Sequence, residues 1–496
     1  MRSEFVHRLR RFGRTAIFTA AVAFLGRTSQ QVFAVALVLI AAAFLTPAEY
    51  GVYSLATALA ILLQTFTYAG FYHFIVRQDD PLGTLLDTCF WCMMAVALLG
   101  AGALFGAGPF LSSAFDAPSF FTALSILALD QVLGTPIAWI SAVMLRRQQL
   151  RPLYAIMLVQ NVLSFAAGLI FLLYWHSVAA LLAYRVTKTG LGLILYFSHT
   201  RICPGLKFSP TLALSAFRYA SGLYGSRIMH FLSRYSGDLL LGLMFSTAEA
   251  GLFRFGNRVV TGITDVISQP IKSFALTQFG DAQRRDGDFA AIYARFASTT
   301  LMLLGITCIA IALLVGPAVH AFLAPHYFEA IGVTRAICVA TAATIGGMFL
   351  EPILSARGKT ASYFLLTTAS AAIAIAAIAL AAPVGLLAVA WSQSVVTMMS
   401  GVLGMTFIAR YMPAPLSVLV KPLAGTIPYL VAFGLGAFAI DGAARWAISA
   451  GPYEVVVAAA LMGLLAGSLL WLGSRAGVVS MEVFVDSSGG RDEQVE

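Results

Sequence analysis

The sequence predicts an all-α polytopic membrane protein of about fourteen transmembrane helices, and three observations carry that reading. The 496 residues are 59% hydrophobic and 11% charged, with a mean hydropathy of +0.86, a balance that ordinary soluble domains do not reach. Apolar runs of about twenty residues recur along the chain, each long enough to cross a hydrocarbon core as a helix. Period-2 segments of about ten residues, the mark of a membrane barrel, are absent.

Hydropathy and turn signals place the first six helices at 16–45, 50–76, 85–107, 119–144, 153–174 and 178–198, an N-terminal lobe over 16–199 behind a basic segment 1–15. The opening RLRRFGRTAIFTAAVAFLG imitates a signal peptide, even a twin-arginine one at Arg10 and Arg11. The apolar run resumes after Arg27, from Val32 to Leu45, and so reads as one long span. In the third helix Cys89 and Cys92 form a C-x-x-C with no second ligand pair, which reads as ordinary apolar helix, and all five cysteines are expected as free thiols. A linker at 200–216 leads to six further helices at 217–245, 251–275, 298–322, 330–355, 362–382 and 386–409, a C-terminal lobe over 217–410. A last pair at 424–441 and 453–473 lies within 411–474, followed by a polar tail, 475–496, expected to be disordered.

Basic residues alternate from loop to loop. They precede the first helix (Arg8, Arg10, Arg11, Arg14) and follow the fourth (Arg146, Arg147, Arg151), the sixth (Arg201, Lys207), the eighth (Arg284, Arg285), the tenth (Arg357, Lys359) and the twelfth (Arg410, Lys421). The positive-inside rule then puts both termini in the cytoplasm. The net charge of +9 reflects this bias and a set of embedded cations. Scattered over short loops, it does not imply nucleic-acid binding.

An internal repeat divides the chain. The turn FLTPAEYGVY (Phe44 to Tyr53) returns as MFSTAEAGLF (Met244 to Phe253), with Ala48, Glu49 and Gly51 recurring as Ala248, Glu249 and Gly251 at an offset of 200. At that offset Arg27, deep in the first helix, falls on Arg227 in the seventh. Six helices separate the copies, so the halves share one orientation, with a substrate site expected between them and Arg27 facing Arg227. Glu49 and Glu249 stand where a carboxylate caps a helix start.

The seventh and eighth helices carry more charge than a bilayer tolerates. Arg227, Arg234 and Asp238 are spaced i, i+7, i+11, and Arg254, Arg258, Asp265 and Lys272 are spaced i, i+4, i+11, i+18, so each set lies within about 40° on its helix. Seven such groups facing lipid would cost on the order of 20 kcal/mol. Helix-to-helix pairing is the bland explanation for any one of them, but five cations outnumber two carboxylates. The stripes therefore read as walls of a wet, cationic cavity suited to an anionic substrate. Asp130, Arg185, Lys188, Arg335 and Glu351 are further embedded charges, and His230 is singled out among dispersed histidines because it lies three residues from Arg227.

Catalytic signatures are missing. Gly358-Lys359-Thr360 has Ile353 where a phosphate-binding loop needs its first glycine, and no metalloprotease helix or nucleophile elbow is present. No enzyme activity, cofactor or metal is expected, with H+ or Na+ as the candidate coupling ion.

The turn Leu45-Thr46-Pro47-Ala48-Glu49-Tyr50-Gly51 and the segment from Gly237-Asp238 through Ala250-Gly251-Leu252-Phe253 resemble the polysaccharide transporters, or Wzx-type oligosaccharide flippases, of the multidrug/oligosaccharidyl-lipid/polysaccharide flippase superfamily. The resemblance implies two pseudo-equivalent six-helix lobes in a V plus two C-terminal helices. It also implies flipping of an undecaprenyl-diphosphate-linked oligosaccharide across a bacterial inner membrane for exopolysaccharide, capsule or O-antigen, with a polymerase and chain-length machinery as partners. Guanidinium groups match a diphosphate, so Arg27, Arg227, Arg234, Arg254, Arg258 and Lys272 are the expected substrate-binding cations. Asp238, Asp265, Asp130, Glu351 and His230 are candidates to orient the arginines or couple transport to an ion. A cation-coupled multidrug antiporter of the same superfamily would want embedded carboxylates without excess cations. A membrane polymerase or ligase would want a large periplasmic loop, and no periplasmic loop here exceeds roughly fifteen residues.

Overall fold

A computed structural model describes residues 2–77, 82–285, 287–412, 415–447 and 451–480, and among these the side chains from residue 22 onward except those at 69, 82, 222, 223, 226, 230, 233, 234, 360 and 447. All regular structure in these residues is helical. Helices α1 (Arg2–Phe44), α2 (Pro47–Arg77), α3 (Leu82–Ala114), α4 (Pro118–Arg146), α5 (Leu150–Trp175), α6 (Val178–Thr200) and α7 (Pro210–Met244) come first. Then follow α8 (Thr247–Arg284), α9 (Phe289–Phe322), α10 (Glu329–Ala343), α11 (Leu350–Ala356), α12 (Thr360–Ala381), α13 (Leu386–Tyr411), α14 (Leu416–Ala447) and α15 (Pro452–Arg475).

Local chemistry sets the ends. Pro118, Pro210 and Pro452 stand in the first turns of their helices, where the missing N–H is no loss. Ser209 accepts from the Leu212 N–H, and Asp288 accepts from those of Ala290 and Ala291, satisfying donors that α7 and α9 leave open.

Eleven of the described helical segments are long and apolar enough to cross a membrane, or twelve if one bent pair is a single span. The chain is a multi-pass membrane protein. Helices α7 and α8, of 35 and 38 residues, have the length but not the composition, because charged and polar residues interrupt their apolar runs. The count of fourteen is therefore reached only when both are included.

The bent pair corrects the continuous helix read at 330–355. Helix α10, a 3-10 turn at Ile345–Gly347 and α11 meet at a 40° bend. Close backbone approach explains the break. A Cβ on Gly401 of α13 would lie 2.7 Å from the Ala343 carbonyl oxygen, and one on Gly347 would lie 3.0 Å from that of Gly401. The Tyr293 hydroxyl donates to the Gly346 carbonyl at 2.9 Å, replacing a helical hydrogen bond lost at the turn.

Contacts divide the chain into two compact units, Met1–Gly251 and Leu252–Glu496. In the first, α4 is the hub and packs on α2, α3 and α6, while α5 joins α1 to α6. Trp139, Phe71 and Phe90 fill its core, and the Trp139 indole donates to the Leu86 carbonyl at 2.9 Å. Helix α7 packs along α2 and belongs to this unit. Its seam is tight, for a Cβ on Gly70 would overlap Ala220. In the second unit α9 packs on α10, α14 and α15, and α13 packs on α10 and α12. Phe279, Phe296 and Phe349 form its core.

Candidate functional site

The repeated turn has the same boundaries in both copies. Helix α1 ends at Phe44 and α7 at Met244, and α2 starts at Pro47 and α8 at Thr247. Glu49 closes a capping box: its carboxylate accepts from the Thr46 N–H (2.9 Å) and hydroxyl (3.0 Å), and the Thr46 hydroxyl accepts from the Glu49 N–H (3.3 Å). In the second copy the Ser246 hydroxyl accepts from the Ala248 and Glu249 N–H groups. The two turns also pack on each other. A Cβ on Gly51 would overlap the Thr247 carbonyl oxygen, and one on Gly251 would overlap that of Pro47. Each contact repeats the other at the 200-residue offset.

Helix α1 is held to α5 by polar groups around Arg27. Asn161 donates to the Gly26 carbonyl (3.2 Å) and the Ser29 hydroxyl (3.1 Å). The Arg27 guanidinium donates to the Tyr154 hydroxyl at 2.8 Å and stands 5.3 Å from that ring's centre, in cation–π range. Arg27 is exposed on the unit and acts electrostatically on Tyr72 of α2. Arg227, on α7, is also exposed and acts on His73, the next residue of α2. The two offset-related arginines thus act electrostatically on adjacent residues of one helix.

The rest of the α7 stripe is not uniform. Asp238 is 1% exposed, turned into the interior eleven residues beyond exposed Arg227. Arg234 and His230 lie outside the residues whose side chains are described. On α8, Arg254, Arg258, Asp265 and Lys272 are all half-buried. Asp265 and Lys272 lie on the flank between the buried seam of Ile271, Ala275 and Phe279 and the exposed Ile263, Gln269, Ser273 and Leu276, while Arg254 and Arg258 stand among the buried Phe253, Phe255, Val259 and Val260.

Asp130 is part of another constellation. On α4 and 3% exposed, it lies 3.7 Å from the Arg185 guanidinium of α6, with Thr189 and Lys188 beside it. Tyr68 of α2 acts on the same pair and donates to the Gln131 carbonyl at 3.4 Å. Glu351 stands on α11, in the second half of the broken span, and accepts from the Tyr363 hydroxyl at 3.3 Å. Tyr154, Asn161 and Tyr68 were not singled out from the sequence. Their signal was polarity inside apolar runs, which Asn161 and its neighbour Gln160 show most plainly. Among the described residues no group of three His, Cys, Asp or Glu side chains could hold a metal ion.

This geometry can be set beside known proteins. The family described as "Polysaccharide biosynthesis protein" matches residues 40–332. The chain belongs to that family. The match runs from the last turn of α1 into α10, so it includes both copies of the repeated turn and all of α7 and α8. Succinoglycan biosynthesis transport protein ExoT of Rhizobium meliloti (strain 1021) is 24% identical over 252 residues, covering 50% of this chain and 51% of that protein. The chain thus spans about half the length of that curated relative in the match. Among solved structures, the lipid II flippase MurJ in an inward closed conformation has a TM-score of 0.70 at 12% identity, covering 93% of this chain and 100% of its own. An inward-facing multidrug resistance MATE family transporter of the MOP superfamily follows at 0.53 and 13% identity, covering 80% and 96%. At these identities the likeness is one of fold, and this family member shares the MurJ and MATE architecture.

Proposed function

We propose that the chain flips an undecaprenyl-diphosphate-linked oligosaccharide repeat unit from the cytoplasmic to the periplasmic leaflet of a bacterial inner membrane, supplying exopolysaccharide, capsule or O-antigen synthesis. The observation that carries this reading is the set of cations on the long helices α1, α7 and α8, exposed at Arg27 and Arg227 and half-buried at Arg254, Arg258 and Lys272. Such groups are costly in a membrane and are retained where a charged ligand passes. Guanidinium forks suit a diphosphate, which offers several anionic oxygens. Family membership and the Rhizobium relative, named for succinoglycan biosynthesis transport, support the polysaccharide class.

In this mechanism the arginines hold the diphosphate and the lipid tail stays in the bilayer. The protein then exposes the cations to one leaflet and then to the other. Asp238 and Asp265 orient arginines or exchange H+ or Na+, and a polymerase with its chain-length machinery takes the delivered unit. A multidrug antiporter is the second reading, favoured by the MATE-like fold and by the buried carboxylate of Asp130.

The test is complementation of a polysaccharide-negative strain at matched protein levels. Loss of one guanidinium–phosphate contact removes roughly 1.5–3 kcal/mol, about tenfold or more in binding, so Arg227→Ala and Arg258→Ala should each cut polymer output and accumulate lipid-linked units. Normal output from both variants would refute the proposal.

A further inference from the structure

A charged cavity lies within the second unit, at the level where α9 and α14 end and α10 and α15 begin. It encloses about 740 Å³, within the usual range for small-ligand sites. Two of its walls differ in sign. On one, Arg335 of α10 donates through Nε to the Ala312 carbonyl at 3.0 Å, which fixes the fork and leaves its Nη donors for the cavity it lines. His320 of α9 stands beside it, its ring 4.2 Å from that of Phe328. On the other wall Arg445 pairs with Asp441 (2.6 Å) and approaches Glu454 (3.8 Å). Both carboxylates are nearly buried, at 5% and 6% exposure. Two carboxylates around one guanidinium leave that cluster one charge negative, while Arg335 brings a positive charge to the same lining.

The depth of the cavity is marked by its neighbours. Trp446 and Tyr453 flank it on α14 and α15 at 91% and 79% exposure. Exposed aromatic rings at the ends of spanning helices mark the headgroup level of a bilayer.

We propose that this cavity binds a phosphoethanolamine headgroup, its phosphate on Arg335 and His320 and its ammonium on Glu454. The match is to a zwitterion, since a lining that carries both signs favours neither a bare anion nor a bare cation. A primary ammonium is required as well, because it donates N–H groups to Glu454 while a quaternary one cannot. This site is separate from the cations on α1, α7 and α8 and does not depend on the flippase reading.

The experiment is native mass spectrometry of the delipidated full chain, titrated with phosphatidylethanolamine, phosphatidylcholine and phosphatidylglycerol. Phosphatidylethanolamine alone offers both contacts, so it should be retained about tenfold over the other two. Arg335→Gln and Glu454→Gln should each abolish that preference. Glu454→Gln disturbs a buried pair, so Arg335→Gln, at an exposed position, is the decisive variant and should melt at the wild-type temperature. Glycerophosphoethanolamine is the competitor: displacement of the lipid assigns recognition to the headgroup alone, and persistence of the preference assigns the site to membrane phospholipid. Equal retention of the three lipids, or a preference unchanged in Arg335→Gln, would overturn the proposal.

Discussion

Asp130 and Arg185 show what a charge inside a spanning helix requires. Asp130 keeps 3% of its surface exposed and its guanidinium partner keeps 25%, so removing the cation strands a carboxylate with little water near it. Breaking such a pair costs about 3–5 kcal/mol, and the partial exposure of Arg185 puts Arg185→Leu near the lower bound. The variant should melt several degrees lower in detergent, with most of the loss recovered in Asp130→Asn/Arg185→Leu. An unshifted melting curve would show that the pair is not held. The sequence marked these residues as embedded but could not pair them, because the partners lie 55 positions apart and meet only through the packing of α4 on α6. The correspondence of Arg27 with Arg227 was legible, since a repeat offset is a property of the string. The turn of α7 that exposes Arg227 and buries Asp238 was not. Angular spacing says which residues share a stripe, and the neighbours decide how deep each one sits.

At the scale of the element, the repeated turns make the firmest prediction. Gly51 and Gly251 let backbone carbonyls approach closer than a methyl group permits, so Gly51→Ala must push two helix starts apart. Overpacking of this kind costs typically about 1–3 kcal/mol, which should appear as a lower melting temperature of the purified protein. An unchanged temperature would mean that the turns are not in contact. Helix positions were largely readable because apolar runs and proline or serine starts are local signals. The break in the tenth span was not. Gly346-Gly347 reads as tolerated glycine in an apolar helix until Gly401 and Gly404 of α13 are brought against it.

For the whole molecule, the two long helices that depart from apolar composition, α7 and α8, carry most of the cations to which the proposal gives the cargo. Family and architecture follow from the 40–332 match and the MurJ-like fold, and the cargo is where measurement is decisive. A fluorescent undecaprenyl-diphosphate oligosaccharide should be followed across proteoliposome membranes with wild-type protein, with Arg227→Ala, and with a cationic drug as the competing cargo. Wild-type flipping that falls about tenfold or more in Arg227→Ala, with no drug uptake, is the predicted result. Drug transport without lipid flipping would contradict it and turn attention to the carboxylates.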